Sequence, residues 1–110
     1  MEIINLDQII PVEVFPGFAG RIIHTERMTV AHFSIKAGSA FPLHSHPQEQ
    51  VSHLVRGKFE LTINDRCIPM EPGRVIVIAP GEPHSGKALT DCEIIDTFCP
   101  VREDYKALQP

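Results

Sequence analysis

Gly38-Ser39-Ala40-Phe41-Pro42-Leu43-His44-Ser45-His46-Pro47-Gln48-Glu49-Gln50-Val51-Ser52-His53-Leu54-Val55-Arg56-Gly57 is the stretch on which the fold turns. A glycine bounds it at each end and two prolines punctuate it. Glu49–Arg56 reads as a strand that stops at the lone Gly57, a sharp corner before a second strand at Lys58–Asn64. His44 and His46 lie two apart, and on an extended backbone such residues share a face, so both imidazoles aim at one point. Gln50 follows a Pro47 turn, and its amide oxygen is available as a third donor. A fourth donor has to come from elsewhere, and His84, in Ala79-Pro80-Gly81-Glu82-Pro83-His84, is the candidate. The plainer alternative is a set of surface or core histidines with no ion. A lone His-x-His is weak, but two glycines, two histidines and an amide at set spacings, with a third histidine in a second segment, favour the metal. Glu49 sits beside Gln50 but on the opposite face of the strand, and His53 should also face away from the metal. His24 is expected to be exposed or partly packed. His32 shares a face with Val30 and Ser34, where it either lines a cavity or sits as a satisfied core or rim residue.

Outward from this stretch the same punctuation continues, with short Val-, Ile-, Phe- and Thr-rich runs between turn residues. Arg21–Glu26 and Met28–Lys36 read as strands around a tight turn. Asn64-Asp65 is a turn signal ahead of a strand at Cys67–Glu71. Arg74–Ala79 contains the continuous apolar run Val75-Ile76-Val77-Ile78, the pattern of a strand covered on both faces. Asp91–Phe98 is a last strand, and only Arg102–Leu108 suits a short C-terminal helical turn. About eight or more strands with no long helix predict an all-β sandwich or barrel. A doubly wound α/β fold needs longer helices than the gaps allow.

The 110 residues amount to one domain. With 43% apolar and 22% charged residues the composition excludes a disordered tail, a collagen-like repeat and a membrane protein. Ten lysines and arginines against fourteen acids give −4, which argues against a nucleic-acid partner, for which a basic face is the usual footprint. Met1-Glu2-Ile3-Ile4-Asn5 has an acid where a secretion signal carries basic residues. No apolar run approaches the ~20 residues of a spanning helix. A cytoplasmic location is the expectation, with Cys67, Cys92 and Cys99 as reduced thiols.

A second informative segment runs from Asp91 to Tyr105. Alternation places Cys92, Ile94, Asp96 and Phe98 on one face. A carboxylate among apolar neighbours is costly unless paired or used. Arg102 follows a Pro100 turn and is within reach of that region. One arrangement is an Asp96–Arg102 ion pair closing the barrel over a core Phe98. The other is a working set: Asp96 to move protons, Phe98 to stack on a flat ring, Arg102 to bind a carboxylate in bidentate fashion.

Two motifs in the chain resemble those of the cupin superfamily. The first, G-x5-H-x-H-x3-E-x6-G, is met by Gly38, His44, His46, Gln50 in place of glutamate, and Gly57. The second, G-x5-P-x-G-x2-H-x3-N, is met by Gly73, Gly81 and His84, with Ala79 and Ala88 replacing proline and asparagine. This resemblance covers roughly residues 20–98 and implies a single-domain cupin jelly-roll β-barrel of the RmlC-like kind, with one divalent metal near its mouth. The expected organisation is a barrel core at about 20–98, an N-terminal arm at 1–19 and a tail at 99–110. Three imidazoles and an amide oxygen admit nickel, iron, manganese or zinc.

A narrower resemblance is to the pectin-degradation cupins known as the KdgF family. His44-Ser45-His46-Pro47-Gln48-Glu49-Gln50 is similar to their H-S-H-P-x-E-Q motif. Asp96-Thr97-Phe98-Cys99-Pro100-Val101-Arg102-Glu103-Asp104-Tyr105 is similar to their D-x-F-S-P-x-R-E-D-[FY] ending, with Cys99 for serine. The resemblance implies ring opening of 4,5-unsaturated uronates to the linear keto sugar acid. It carries the metal ligands onto His44, His46, Gln50 and His84, and the catalytic residues onto Asp96, Phe98 and Arg102. The implied partner is a small anionic substrate, a sugar acid. A small metal-dependent dioxygenase or isomerase, and a non-enzymatic small-molecule-binding cupin, are the alternatives. The apolar residues of the arm, among them Ile3, Ile4, Leu6, Ile9 and Ile10, either pack on the barrel or join two copies, and a homodimer is the expectation.

Overall fold

A computed structural model describes residues 1–109. Ten strands follow a 3-10 turn at Leu6–Gln8. They are β1 Val12–Phe15, β2 Phe18–His24, β3 Thr29–Ile35, β4 Ala40–His44, β5 Glu49–Arg56, β6 Phe59–Ile63, β7 Arg66–Met70, β8 Val75–Ile78, β9 His84–Ala88 and β10 Cys92–Cys99. A four-residue helix, α1 Glu103–Lys106, follows. Every strand pair is antiparallel. The strands form a six-stranded sheet in the order β1-β2-β3-β10-β5-β8 and a four-stranded sheet in the order β4-β9-β6-β7. This is the jelly-roll arrangement expected of the sequence. Among the described residues no helix is long and apolar enough to cross a membrane.

Period-two burial sets the two sheets face to face. Phe18 and Ile22 of β2, Ala31, Phe33 and Ile35 of β3, Leu54 of β5, Phe59 and Leu61 of β6, and Ile94 and Phe98 of β10 all point between the sheets. The residues between them point outward, and His53 and Val51 are exposed as the alternation of β5 requires. His32 also falls on the outer side, between buried Ala31 and Phe33, so it does not line the cavity.

The β5–β6 corner depends on Gly57. Its φ is +96°, and a Cβ there would run into the Asp91 carbonyl oxygen. That oxygen is backbone and has no freedom to yield. Gly57→Ala is therefore expected to lower stability by about 2–4 kcal/mol, from positive-φ strain plus overpacking. Urea denaturation checks it. The β6–β7 hairpin turns on Asn64 and Asp65, at φ 51° and 63°. Two successive left-handed residues match the twist of a two-residue hairpin, and short polar side chains tolerate that conformation.

Three expectations change. β8 is an edge strand and is not covered on both faces: Ile78 is 0% exposed, whereas Val75 and Val77 are 50% and 62% exposed. A β-branched run reads the same whether its outer face is covered or open. β4 and β9 are strands that hydrophobic runs did not reveal, because Pro42 and Gly86 break the pattern inside them. β1 lies in the N-terminal arm and pairs with β2, so the six-stranded sheet begins at Val12. Phe18 is buried and Val12, Val14 and Phe15 pack on the core, while Ile3, Ile4, Leu6 and Ile10 stay exposed.

Candidate metal centre and cavity

One end of the barrel brings together residues from four segments. His44 ends β4 and faces His84, which starts β9, across the β4–β9 ladder. His46 follows in the loop after β4, and Gln50 is the second residue of β5. The ring centroids of His44 and His84 are 4.5 Å apart, and those of His46 and His84 are 5.0 Å apart. One ligand nitrogen from each of the three lies within 4.8 Å of the others.

The backbone determines which nitrogen each ring presents. His44 Nδ1 donates to the Pro42 carbonyl at 2.9 Å, His46 Nδ1 to the Gln48 carbonyl at 3.1 Å, and His84 Nδ1 to the Glu82 carbonyl at 2.8 Å. A carbonyl can only accept, so each Nδ1 carries the proton and each Nε2 of the neutral ring keeps its lone pair. Burial lowers the His46 pKa and takes that of His84 to about 4, and the Arg102 charge pushes both the same way. These two rings therefore stand neutral at pH 7, the form that binds metal.

Gln50 tests whether the residues fit an ion. Its Oε1 lies 3.0 Å from His46 Nε2. With the His46 proton on Nδ1, two lone pairs face each other there. A shared cation resolves that conflict, while the other side of the Gln50 amide serves Asp96. The donor set is three imidazoles and one amide oxygen, which suits a borderline divalent transition metal and leaves its identity open.

Beside the histidines is a narrow cavity of about 40 Å³, lined by His44, Gln50, His84, Asp96, Phe98 and Arg102 among others. Asp96 enters it from β10, opposite Ser52 of β5. Its Oδ1 is buried without a hydrogen-bond partner. Desolvation pushes the Asp96 pKa up to about 6, against the opposing pull of Ser52, Gln50 and Arg102. Phe98 is 1% exposed and forms a wall, with its ring 5.5 Å from that of His46.

Arg102 is 5% exposed and reaches the same cavity from just beyond β10. The ion pair considered between it and Asp96 is not formed. Its guanidinium pairs instead with Asp104, from Nε to Oδ1 at 2.9 Å and from Nη2 to Oδ2 at 2.7 Å. Asp104, two residues away on the same short turn, offers both oxygens to one guanidinium edge, a geometry Asp96 does not match. Three residues join the site that sequence reasoning passed over. Ser52 shares a face with Gln50, a signal that was present in the alternation. Tyr105, with its ring 4.0 Å from the Arg102 guanidinium carbon, and Asp104 follow Arg102 directly in the chain.

A two-sheet jelly roll with three converging histidines at one end defines a small cupin. Residues 31–98, well over half of the chain, match the cupin domain family, and the chain belongs to that family. Among solved structures it resembles KdgF from a Halomonas species, at 25% identity and a TM-score of 0.88, over 96% of this chain and 98% of that one. An RmlC-like cupin from Shewanella frigidimarina shares the fold at 22% identity and a TM-score of 0.89, over 96% of both chains. An RmlC-like cupin from Desulfovibrio desulfuricans matches at 28% identity and a TM-score of 0.73, over 93% of this chain and 99% of that one. No curated protein sequence matches the chain.

Proposed function

We propose that this cupin promotes ring opening of 4,5-unsaturated uronate monosaccharides to the linear keto sugar acid. The observation that carries the reading is the meeting, at one end of the barrel, of a three-histidine cluster, a buried carboxylate with a free oxygen, and an arginine. The full-length likeness to KdgF supports it. The substrate is a hemiacetal whose ring oxygen is also an enol ether. Opening moves the proton off the anomeric hydroxyl, breaks the bond between C1 and the ring oxygen, and leaves a C1 aldehyde and a C5 enolate. A proton then enters C4 to give the C5 ketone, so the reaction is an isomerisation with no net change in atoms or electrons.

His44, His46, His84 and Gln50 would hold a divalent metal, which supplies Lewis acidity toward a substrate oxygen when bound. Asp96 carries the proton from the anomeric hydroxyl to C4, a task suited to a carboxylate whose Oδ1 has no partner inside the protein. Arg102 binds the uronate carboxylate through N–H groups that Asp104 leaves free. Phe98 walls the cavity and excludes water. In the test, purified protein is added to a uronate lyase digest and the ring form followed by NMR. Loss of the ring signals faster than the spontaneous rate is the expected result, and an unchanged rate with metal bound would overturn the reading.

A further inference from the structure

Asp104 makes the shortest of the three ion pairs among the described residues, at 2.7 Å. The pair is lopsided: the Arg102 side chain is 7% exposed and that of Asp104 is 62% exposed. The carboxylate grips one edge of the guanidinium at two points. The rings of Tyr105 and Phe98 lie 4.0 and 4.7 Å from the guanidinium carbon. Of the five guanidinium N–H groups, two bond to Asp104 and three remain. On the cavity side is a competing partner, Asp96, with its buried Oδ1 unpaired. Opposite charges in a poorly hydrated cavity attract more strongly than in water, so an arginine free to swing would close on it.

We propose that Asp104 is a positioning residue: it holds the Nε–Nη2 edge of Arg102 so that the remaining N–H groups stay open to an incoming carboxylate. The identity of that carboxylate, a uronate, rests on the function proposed above. The course of the tail does not depend on the pair. Tyr105 is buried, the Arg102 backbone N–H donates to Thr29 Oγ1 at 2.9 Å, and the Gln109 side chain bonds to His24 at 2.6 Å and to the Ile22 carbonyl at 3.2 Å. Asp104→Ala should therefore fold with the tail in place and Arg102 released.

The experiment uses the full chain loaded with zinc, which is diamagnetic, and follows the Arg102 Nε–H signal by NMR. Without ligand, Asp104→Ala should move that signal and speed its hydrogen exchange by about tenfold or more, since a charge-assisted bond is lost. Asp104→Glu should restore most of the protection. Sodium D-galacturonate, a saturated uronate, is then titrated. Wild type should bind saturably, Asp104→Ala about tenfold more weakly, and Asp104→Glu within about threefold of wild type. Equal binding by Asp104→Ala and wild type would overturn the positioning role and leave the uronate reading standing. Absence of binding to wild type would count against the uronate reading alone. In that case an Nε–H exchange rate unchanged in Asp104→Ala would overturn the positioning role separately.

Discussion

Asp96→Asn is expected to lower the rate of ring opening by about 10²–10⁴-fold, the usual contribution of a positioned proton carrier. Asparagine preserves shape but cannot take up or return the proton. It touches none of the three histidine nitrogens, so metal content measured by elemental analysis should match wild type. The same substitution should stabilise the metal-stripped protein at neutral pH. Burial raises the Asp96 pKa from 3.8 to about 6. The folded state therefore resists ionisation, and the penalty grows as pH rises from 3.8 to about 6 and is complete above that. Its removal is worth about 1–3 kcal/mol at pH 7 and nothing at pH 3.5. His84 works in the opposite sense. Its pKa falls from 6.5 to about 4, so stability is lost as pH drops through that window, where the unfolded chain takes up a proton that the folded ring refuses. In wild type the two effects oppose each other, and Asp96→Asn should expose the acid-side loss. Thermal unfolding of the chelated proteins between pH 3.5 and 7 checks both signs.

His84→Ala is expected to weaken zinc binding by two to three orders of magnitude. A four-ligand protein site is worth about 10–16 kcal/mol at neutral pH, so one ligand accounts for roughly 3–4 kcal/mol. His84 is 2% exposed and its Nδ1 is fixed on the Glu82 carbonyl, so no neighbouring side chain can move in to replace it. Competition against a chromophoric chelator measures the loss. His53→Ala is the control: His53 is exposed on the outer face of β5, and its removal should leave affinity unchanged.

Much of this arrangement is legible in the sequence. The alternation of β5 separates Gln50 and Ser52, which point inward, from Val51 and His53, which point outward. The two-residue spacing of His44 and His46 marks them as a pair, and His84 is a candidate from a second segment; the structure brings the three imidazoles together. What escaped were features decided by competition in space. Val75 and Val77 carry the same residue types as a buried strand, and only the sheet order shows that one face of β8 is open. Asp96 and Asp104 are both within a few residues of Arg102, and spacing cannot choose between them. The choice falls to Asp104 because two successive bonds close on one guanidinium edge.

The partners that aim the three histidines are main-chain oxygens of residues 42, 48 and 84's neighbour 82. A carbonyl oxygen is common to all twenty amino acids. Side-chain replacement at Pro42, Gln48 or Glu82 therefore cannot delete the hydrogen bond that sets the tautomer, provided the loop keeps its path. The loop path itself leans on two of those side chains, since Gln48 Nε2 donates to the Val101 carbonyl at 3.1 Å and the Glu82 carboxylate accepts from the Ala79 N–H at 3.1 Å. Pro42 is therefore the position freest to vary, while insertions or deletions between Pro42 and Gln50, or between Ala79 and His84, should be far less tolerated. In a library of random variants, the centre's fragility should follow changes in loop length more closely than changes in the residues its rings lean on.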